Sequence, residues 1–320
     1  MDPRQVSQPA PSVPPGMVLV VVILFWGLGP PVAKLITAPA VISTLYRFWI
    51  SVPILFGLAA ALGVRPRLST IRRAAVPGAA FGINLVFVFL TINAAAVAVL
   101  AVVTALQPAL ILLVAGRFMG ERPQLWHVLW TLVGIGGTAV VVLGAGADFE
   151  VSGIGLIYAV AAMVTFTLYF LGTRRVRHAD PDLHPVEWMA GIALAASLTV
   201  TPWALATSSA ADYRAVDGLD WVWLAFMILI TGVAGHVLMA WTHHYIEASR
   251  SSLYLLSMNV VAIAAAWVIH DEPLAPLQFL GGVVVFASVA AVISRPALSA
   301  GEAVPKPVSE PDVAGRPTPA

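Results

Sequence analysis

Long apolar segments separated by short polar ones make up most of this chain. Ten stretches approach the roughly 20 apolar residues that a helix needs to cross a bilayer. They cover residues 17–36, 40–62, 74–94, 97–118, 124–145, 152–172, 185–206, 220–242, 252–270 and 275–294. The pattern therefore predicts an all-α membrane protein with ten transmembrane helices.

Two of these stretches resemble each other, namely Ala96–Pro123 and Ser252–Pro273. Each is expected to break near its middle, the first at Gln107-Pro108 and the second at Asn259, and each ends in an acidic turn. Pro108 precedes Glu121 by 13 positions, and Asn259 precedes Glu272 by the same 13. Because each copy holds five spans, an odd number, the second copy enters the membrane from the opposite face. The sequence therefore predicts two inverted five-helix repeats.

Pro- and Ser-rich segments flank the apolar part of the chain at both ends. We expect disordered cytoplasmic tails over residues 1–16 and 295–320, a first repeat over 17–146 and a second over 152–294. The first apolar run is longer than the 7–15 residues of a signal-peptide core, so we interpret it as a retained span.

The basic residues between the spans predict the orientation. With both termini inside, the cytoplasmic segments hold fourteen of the 17 Lys and Arg residues, which satisfies the positive-inside rule. The outer side keeps Lys34 and Arg214, while Arg47 lies within the second span. We expect an integral protein of the bacterial inner (plasma) membrane.

The composition and the absence of certain motifs exclude several classes of function. The chain is 59% hydrophobic and 10% charged, with net charge +1 and no cysteine, so we expect no nucleic-acid partner, no thiolate metal site and no cofactor. No GxxxxGK[ST], GxSxG or HExxH motif occurs, which argues against an ATP-driven pump and against a membrane-embedded hydrolase. We therefore expect no enzymatic activity.

Several of these features together resemble the EamA-type drug/metabolite transporter superfamily. They are Trp26-Gly27 followed by Lys34, Arg47 in the second span, and Gln107-Pro108 followed by Gly120-Glu121-Arg122. The resemblance implies two inverted helix bundles around a central substrate cavity that opens alternately to each side. The second half departs from it, with Asn259 in place of the proline.

Most of the ten tryptophans lie near span ends, where an indole anchors at the headgroups. The anchors we predict are Trp126, Trp188, Trp203, Trp221, Trp223, Trp241 and Trp267. Trp26 instead lies mid-span, which fits either a cavity wall or plain packing. Gln107 and Asn259 are mid-span amides that either bond neighbouring helices or line a cavity.

Further polar residues lie deep in the predicted spans. Asn84 and His236 occupy nearly equivalent positions in the two repeats, and Tyr158 and Tyr169 share one face of the sixth span. Such side chains either line a wet cavity or bond within a dry seam. Arg47 lies about 12 Å from the outer end of its helix, where it either snorkels, bonds carbonyls or meets a substrate carboxylate. We favour a structural role for Arg47.

The leading hypothesis is a secondary transporter that exports a small metabolite, amino acid or amphipathic compound. We expect it to act in the lipid bilayer as a monomer or weak homodimer. One alternative is an exchanger of sugar phosphates or nucleotide sugars, which would need several cations in its cavity. The other is a non-transporting membrane protein or membrane enzyme.

Overall fold

The computed structural model describes residues 11, 13–94, 103–118, 125–144, 152–271 and 274–294, and within these ranges the chain forms helices and no strand. The helices are α1 Pro15–Ala33, α2 Ala40–Ala61, α3 Leu68–Ala94, α4 Gln107–Phe118, α5 Leu125–Gly144, α6 Gly153–Ala179, α7 Pro185–Thr207, α8 Gly218–Tyr245, α9 Ala248–His270 and α10 Pro276–Ile293. The predicted tail 295–320 and the glutamates of the two acidic turns, Glu121 and Glu272, lie outside the described residues.

Eight of these helices are long and apolar enough to cross a membrane. Two shorter apolar helices, Val103–Val114 and Pro276–Val292, occupy the fourth and tenth predicted spans. The all-α membrane fold is thus confirmed. The first helix begins at Pro15, two residues inside the predicted tail, because proline at a first helical position fits the missing N–H of a helix start.

The fourth and ninth predicted spans are each interrupted by a turn. In the first half a turn at Leu106 separates a short helical piece from the helix that begins at Gln107. In the second half the turn is at Leu255, so the expected break at Asn259 is wrong by four residues. Asparagine keeps its backbone N–H and brings no ring clash, so it continues a helix where proline does not.

Glycines let the helices approach closely. A Cβ added to Gly281 in α10 would lie 2.7 Å from the carbonyl oxygen of Gly137 in α5. A Cβ at Gly78 in α3 would lie 2.6 Å from the Cβ of Ala195 in α7. These glycines therefore act in packing within the chain, as small residues do at membrane helix interfaces.

The α3 helix packs against both α6 and α7, and α2 packs against α7. On the other side, α1 packs against α8 and α9, while α5 packs against α10. Each of these contacts joins a helix that ends by residue 144 to a helix that begins after residue 152. Trp188 corrects one sequence-based expectation. It is fully buried and donates to Thr173 Oγ1 at 3.2 Å, so it packs inside the bundle instead of anchoring at the headgroups.

Candidate functional site

The middle of α8 is a π-helix over Met227–Ala234. Its wider turn changes the backbone hydrogen-bond register, and such bulges occur frequently at functional sites. Thr231, near its centre, donates its hydroxyl to the carbonyl oxygen of Met227 at 2.8 Å. Two residues of other helices bond to Thr231, and they define the site.

Trp26 of α1 is the first of them. Its indole N–H donates to the carbonyl oxygen of Thr231 at 3.1 Å, and its side chain is buried. Gly235 makes room for the ring, because a Cβ there would lie 2.6 Å from the indole nitrogen. The mid-span tryptophan is therefore held against the π-helix by a hydrogen bond and a glycine.

Arg47 of α2 is the second. Its Nη2 donates to Thr231 Oγ1 at 3.0 Å. Within the described part of the chain, ion pairs join Arg67 to Glu187 and Arg73 to Asp180, and Arg47 takes part in neither. A cation inside a bundle without a carboxylate partner is costly, so the site is electropositive.

An aromatic group completes the cluster. The hydroxyl of Tyr169 in α6 lies 2.8 Å from Nδ1 of His236 in α8. The imidazole of His236 packs 4.6 Å, centroid to centroid, from both Trp26 and Phe81 of α3. Phe81 also stacks on Tyr169 at 4.5 Å. Rings from three helices, α1, α3 and α6, thus contact the imidazole that α8 contributes.

A small cavity of about 20 Å³, room for about one water molecule, adjoins this cluster. Helices α2, α3, α7 and α8 form its walls, so both halves of the chain contribute. The lining combines one guanidinium, one imidazole, one hydroxyl and otherwise apolar or backbone groups, from Arg47, Phe48, Ser51, Leu55, Phe81, Met189, Ile192, Ala193, Gly232, Val233 and His236.

Of the eight residues that the sequence suggested, the structure brings Trp26, Arg47, Tyr169 and His236 into this one cluster. The other four lie elsewhere. Asn84 is buried and donates to the carbonyl oxygen of Ala162 at 2.8 Å.

Tyr158 stacks on Phe87 at 6.1 Å, between α3 and α6. Gln107 lies buried at the start of α4, and its Nε2 has no hydrogen-bond partner within the described residues. Asn259 is half-buried in α9.

Sequence reasoning missed Thr231, Phe81 and Ser51. Thr231 and Gly232 are two small residues, one of them polar, inside an otherwise apolar segment, and Phe81 lies between Gly78 and Gly82. Both features are visible in the sequence, but neither predicts which helices pack together at the site.

Carboxylates join neighbouring segments at both ends of the bundle. The carboxylate of Asp220 at the start of α8 accepts hydrogen bonds from the backbone N–H groups of Thr37 and Ala38 and from the Thr37 hydroxyl, at 2.9–3.0 Å. These bonds tie the α1–α2 connection to α8.

At the other end, Glu187 in the first turn of α7 accepts from the backbone N–H and the guanidinium of Arg67 and from the Thr70 hydroxyl. The hydrogen bond to Glu187 and the attraction of its charge raise the pKa of Arg67 above its usual value. Arg67 therefore stays charged, and the bonds join the α2–α3 connection to α7.

Within the described ranges, no group of three or more His, Asp or Glu side chains could hold a metal ion. The site offers one guanidinium, one imidazole, hydroxyls and aromatic ring faces.

Comparison with known proteins gives one family and one fold. Residues 153–294 match the profile of the EamA-like transporter family. No curated protein matches the sequence. A solved structure described only as the crystal structure of a protein is similar with a TM-score of 0.73 and 20% identity, over 87% of this chain and 96% of that chain. At this identity the likeness bears on the fold alone.

Proposed function

We propose that this chain, whose residues 153–294 match the EamA-like transporter family, is a secondary transporter of the drug/metabolite transporter superfamily. It exports a small metabolite, amino acid or amphipathic compound by alternating access. The observation that carries this proposal is the cavity beside Arg47 and His236, enclosed by helices of both halves. A site of this kind is what rocking of one half against the other would expose to each side in turn.

The packing of the helices supports the inverted repeat. If α1–α5 are exchanged with α6–α10 in order, the α3–α6 contact becomes α8–α1 and the α3–α7 contact becomes α8–α2. Both members of each pair are present, as are α4–α6 and its counterpart α9–α1. The contacts α2–α7, α4–α9 and α5–α10 map onto themselves and are present too. This is the pattern expected of two similar bundles related by a pseudo-twofold axis.

The proposal includes ten spans, with the shorter helices α4 and α10 as the fourth and the tenth. It places both termini in the cytoplasm of a bacterial cell, since the basic residues concentrate in the segments that this orientation puts inside. Under this orientation Asp220 closes the outer end of the bundle and Glu187 the inner end. The transporter acts as a monomer or weak homodimer and needs no nucleic acid and no cofactor.

The proposed binding site comprises Trp26, Arg47, Tyr169 and His236, with Phe81 and Thr231 added from the structure. Asn84, Gln107, Tyr158 and Asn259 remain proposed lining residues of the path between the halves. They lie outside the set that surrounds the cavity, so substitutions there test them separately.

The cavity favours this function over the sugar-phosphate exchanger. A phosphate dianion is usually held by several cations, whereas Arg47 is the one arginine or lysine among the residues that surround the cavity. Members of the family are transporters, which also disfavours a membrane enzyme.

Uptake into proteoliposomes tests the proposal. Purified protein is reconstituted and offered labelled amino acids, cationic dyes and sugar phosphates, with protein-free vesicles as the control. We expect saturable uptake of at least one amino acid or amphipathic compound above the control. Uptake limited to sugar phosphates in exchange mode would favour the alternative, and a complete lack of uptake of all three classes would contradict transport.

A further inference from the structure

Arg47 has more hydrogen-bonding capacity than the described chain uses. A guanidinium carries five N–H donors, and the side chain makes one hydrogen bond, from Nη2 to Thr231 Oγ1. Arg47 also borders the cavity. Gly232 leaves the space beside Nε open, since a Cβ there would lie 3.7 Å from that nitrogen. The unused donors therefore have room for an acceptor that comes from outside the chain.

The cavity wall changes character along α2. Arg47, Ser51 and Leu55 follow at intervals of four residues, so they share one face of the helix. Leu55 lies about 12 Å further along the helix axis than Arg47. Across from this face are Met189, Ile192 and Ala193 of α7. The cavity thus has a cationic end and an apolar end.

We propose that this cavity binds a small amphipathic carboxylate, with the carboxylate on Arg47 and the apolar body directed toward Leu55. The inference rests on the proposed transport function and names the substrate class of the same site. A carboxylate matches the planar guanidinium, because its two oxygens accept parallel N–H bonds. Binding it also supplies the countercharge that Arg47 lacks.

The charge of the lining favours a simple carboxylate over related ligands. The residues around the cavity include no Asp or Glu, so the ammonium of an amine or a zwitterionic amino acid finds no countercharge there. The cavity has a volume of about 20 Å³, which is room for about one water molecule. A carboxylate with a ring or a short alkyl chain therefore enters when the two halves move apart, as alternating access requires.

A series of four ligands with one phenyl ring tests the class. The full chain in lipid nanodiscs is titrated with 3-phenylpropionate, 3-phenylpropionamide, L-phenylalanine and 3-phenylpropylamine, and Kd is measured by calorimetry. We expect the carboxylate to bind at least about tenfold more tightly than the isosteric amide, because charge-assisted bonds are stronger than neutral ones. Equal or tighter binding of the amide, the amino acid or the amine would overturn the proposal.

Variants of the cavity assign the binding to Arg47. In Arg47→Gln the Kd of 3-phenylpropionate should rise to that of the amide, while the Kd of the amide stays within about twofold. In Arg47→Lys the Kd of 3-phenylpropionate should lie between its values for the unaltered protein and for Arg47→Gln. A loss of affinity for acid and amide alike in Arg47→Gln would indicate a structural role and overturn the assignment. Leu55→Trp, which fills the apolar end, should weaken all ligands; unchanged binding in this variant would equally overturn the site.

Transport is measured separately, by counterflow of the best-binding ligand into proteoliposomes. Tight binding of the carboxylate without counterflow would keep the inferred site and contradict the proposed function. Counterflow of the amine or the amide, with no binding of the carboxylate, would keep the function and overturn the substrate class. If Arg47→Gln does not fold, the ligand series on the unaltered chain and Leu55→Trp still decide the proposal.

Discussion

At the scale of single residues, Thr231 joins three helices. Its carbonyl oxygen accepts from Trp26 of α1, and its hydroxyl accepts from Arg47 of α2 while donating within α8. The bonds from Trp26 and to Met227 are buried, and the bond from Arg47 borders the cavity. The position of Arg47 in the cavity therefore depends on the backbone geometry of the π-helix.

Gly235→Ala tests the close packing of the Trp26 ring against Gly235. A Cβ at this position would lie 2.6 Å from the indole nitrogen, so the ring must move and its bond to Thr231 breaks. We expect a loss of about 1–3 kcal/mol in the free energy of unfolding, as overpacking typically costs, together with reduced uptake in proteoliposomes.

Gly136→Ala is the matched control, because nothing lies within 4 Å of a Cβ there. Both substitutions add one methyl group to a helix interior. Thermal unfolding in detergent compares the two variants, and equal stability would contradict the close contact between Gly235 and Trp26.

Gln107 offers the second test at this scale. Its buried Nε2 has no hydrogen-bond partner within the described residues, and an unpaired buried polar group costs about 1–3 kcal/mol. Gln107→Met removes the amide at nearly constant length, so the free energy of unfolding should stay constant or rise. If Gln107 lines the transport path, uptake should fall. Leu106→Met, at the exposed neighbour, should change neither quantity, and a large destabilisation of Gln107→Met would show that the amide has a structural partner.

Sequence reasoning reaches part of this site, for a physical reason. The apolar pattern shows which residues lie within a span. It identified Trp26, Tyr169 and His236 as side chains with polar groups at membrane depth. It does not show which faces meet. The near-equivalence of Asn84 and His236 suggested a shared chamber, but Asn84 bonds to the Ala162 carbonyl whereas His236 pairs with Tyr169.

At the scale of helices, the bounds follow from the sequence because length and hydropathy determine them. Most predicted ends agree with the structure to within four residues, but α3 begins six residues before the predicted start and α6 ends seven residues after the predicted end. The predicted start of the fourth span lies outside the described residues. The π-helix at Met227–Ala234 was not predicted, since a change of hydrogen-bond register leaves the apolar pattern intact. The break in α9 lies at Leu255 and not at the predicted Asn259. A proline in the sequence marks a helix break, whereas an asparagine does not.

Asp220→Asn tests the bonds between the α1–α2 connection and α8. The carboxylate accepts three hydrogen bonds, and an amide keeps one acceptor oxygen and loses the charge. We expect a loss of about 1.5–3 kcal/mol in the free energy of unfolding, the contribution of a hydrogen bond to a charged group.

Asp217→Asn is the control, since Asp217 is exposed and makes no capping bond with its side chain. It should stay within about 0.5 kcal/mol of the unaltered protein. Equal effects of the two substitutions, measured by unfolding in detergent, would show that the Asp220 bonds contribute little.

At the scale of the whole molecule, the orientation follows from the distribution of basic residues. Reporter fusions after Ala147 and Ala211 should give the signal of the outer side, and fusions after Arg67 and His178 that of the cytoplasm. The two members of each pair lie in different halves of the chain, so they report on both repeats. A clear reversal at any one of the four sites would contradict the ten-span arrangement.

The last prediction concerns the driving force. Proton-coupled transporters usually carry a carboxylate inside the bundle, and the residues around the cavity include none. In the described chain Glu187 and Asp220 lie in the first turns of their helices, where hydrogen bonds to neighbouring segments occupy them. The titratable group other than Arg47 among the residues that surround the cavity is the imidazole of His236.

We therefore expect transport driven by the substrate's own gradient, with at most weak coupling to protons, and any such coupling to pass through His236. Uptake is measured in vesicles with and without an imposed pH gradient, for the unaltered protein and for His236→Gln. The pH gradient should change the initial rate by less than about twofold, and a small effect should vanish in the variant, since glutamine cannot bind a proton there. Concentrative uptake driven by the pH gradient and undiminished in His236→Gln would contradict this prediction, because a proton would then cross by a group other than the imidazole.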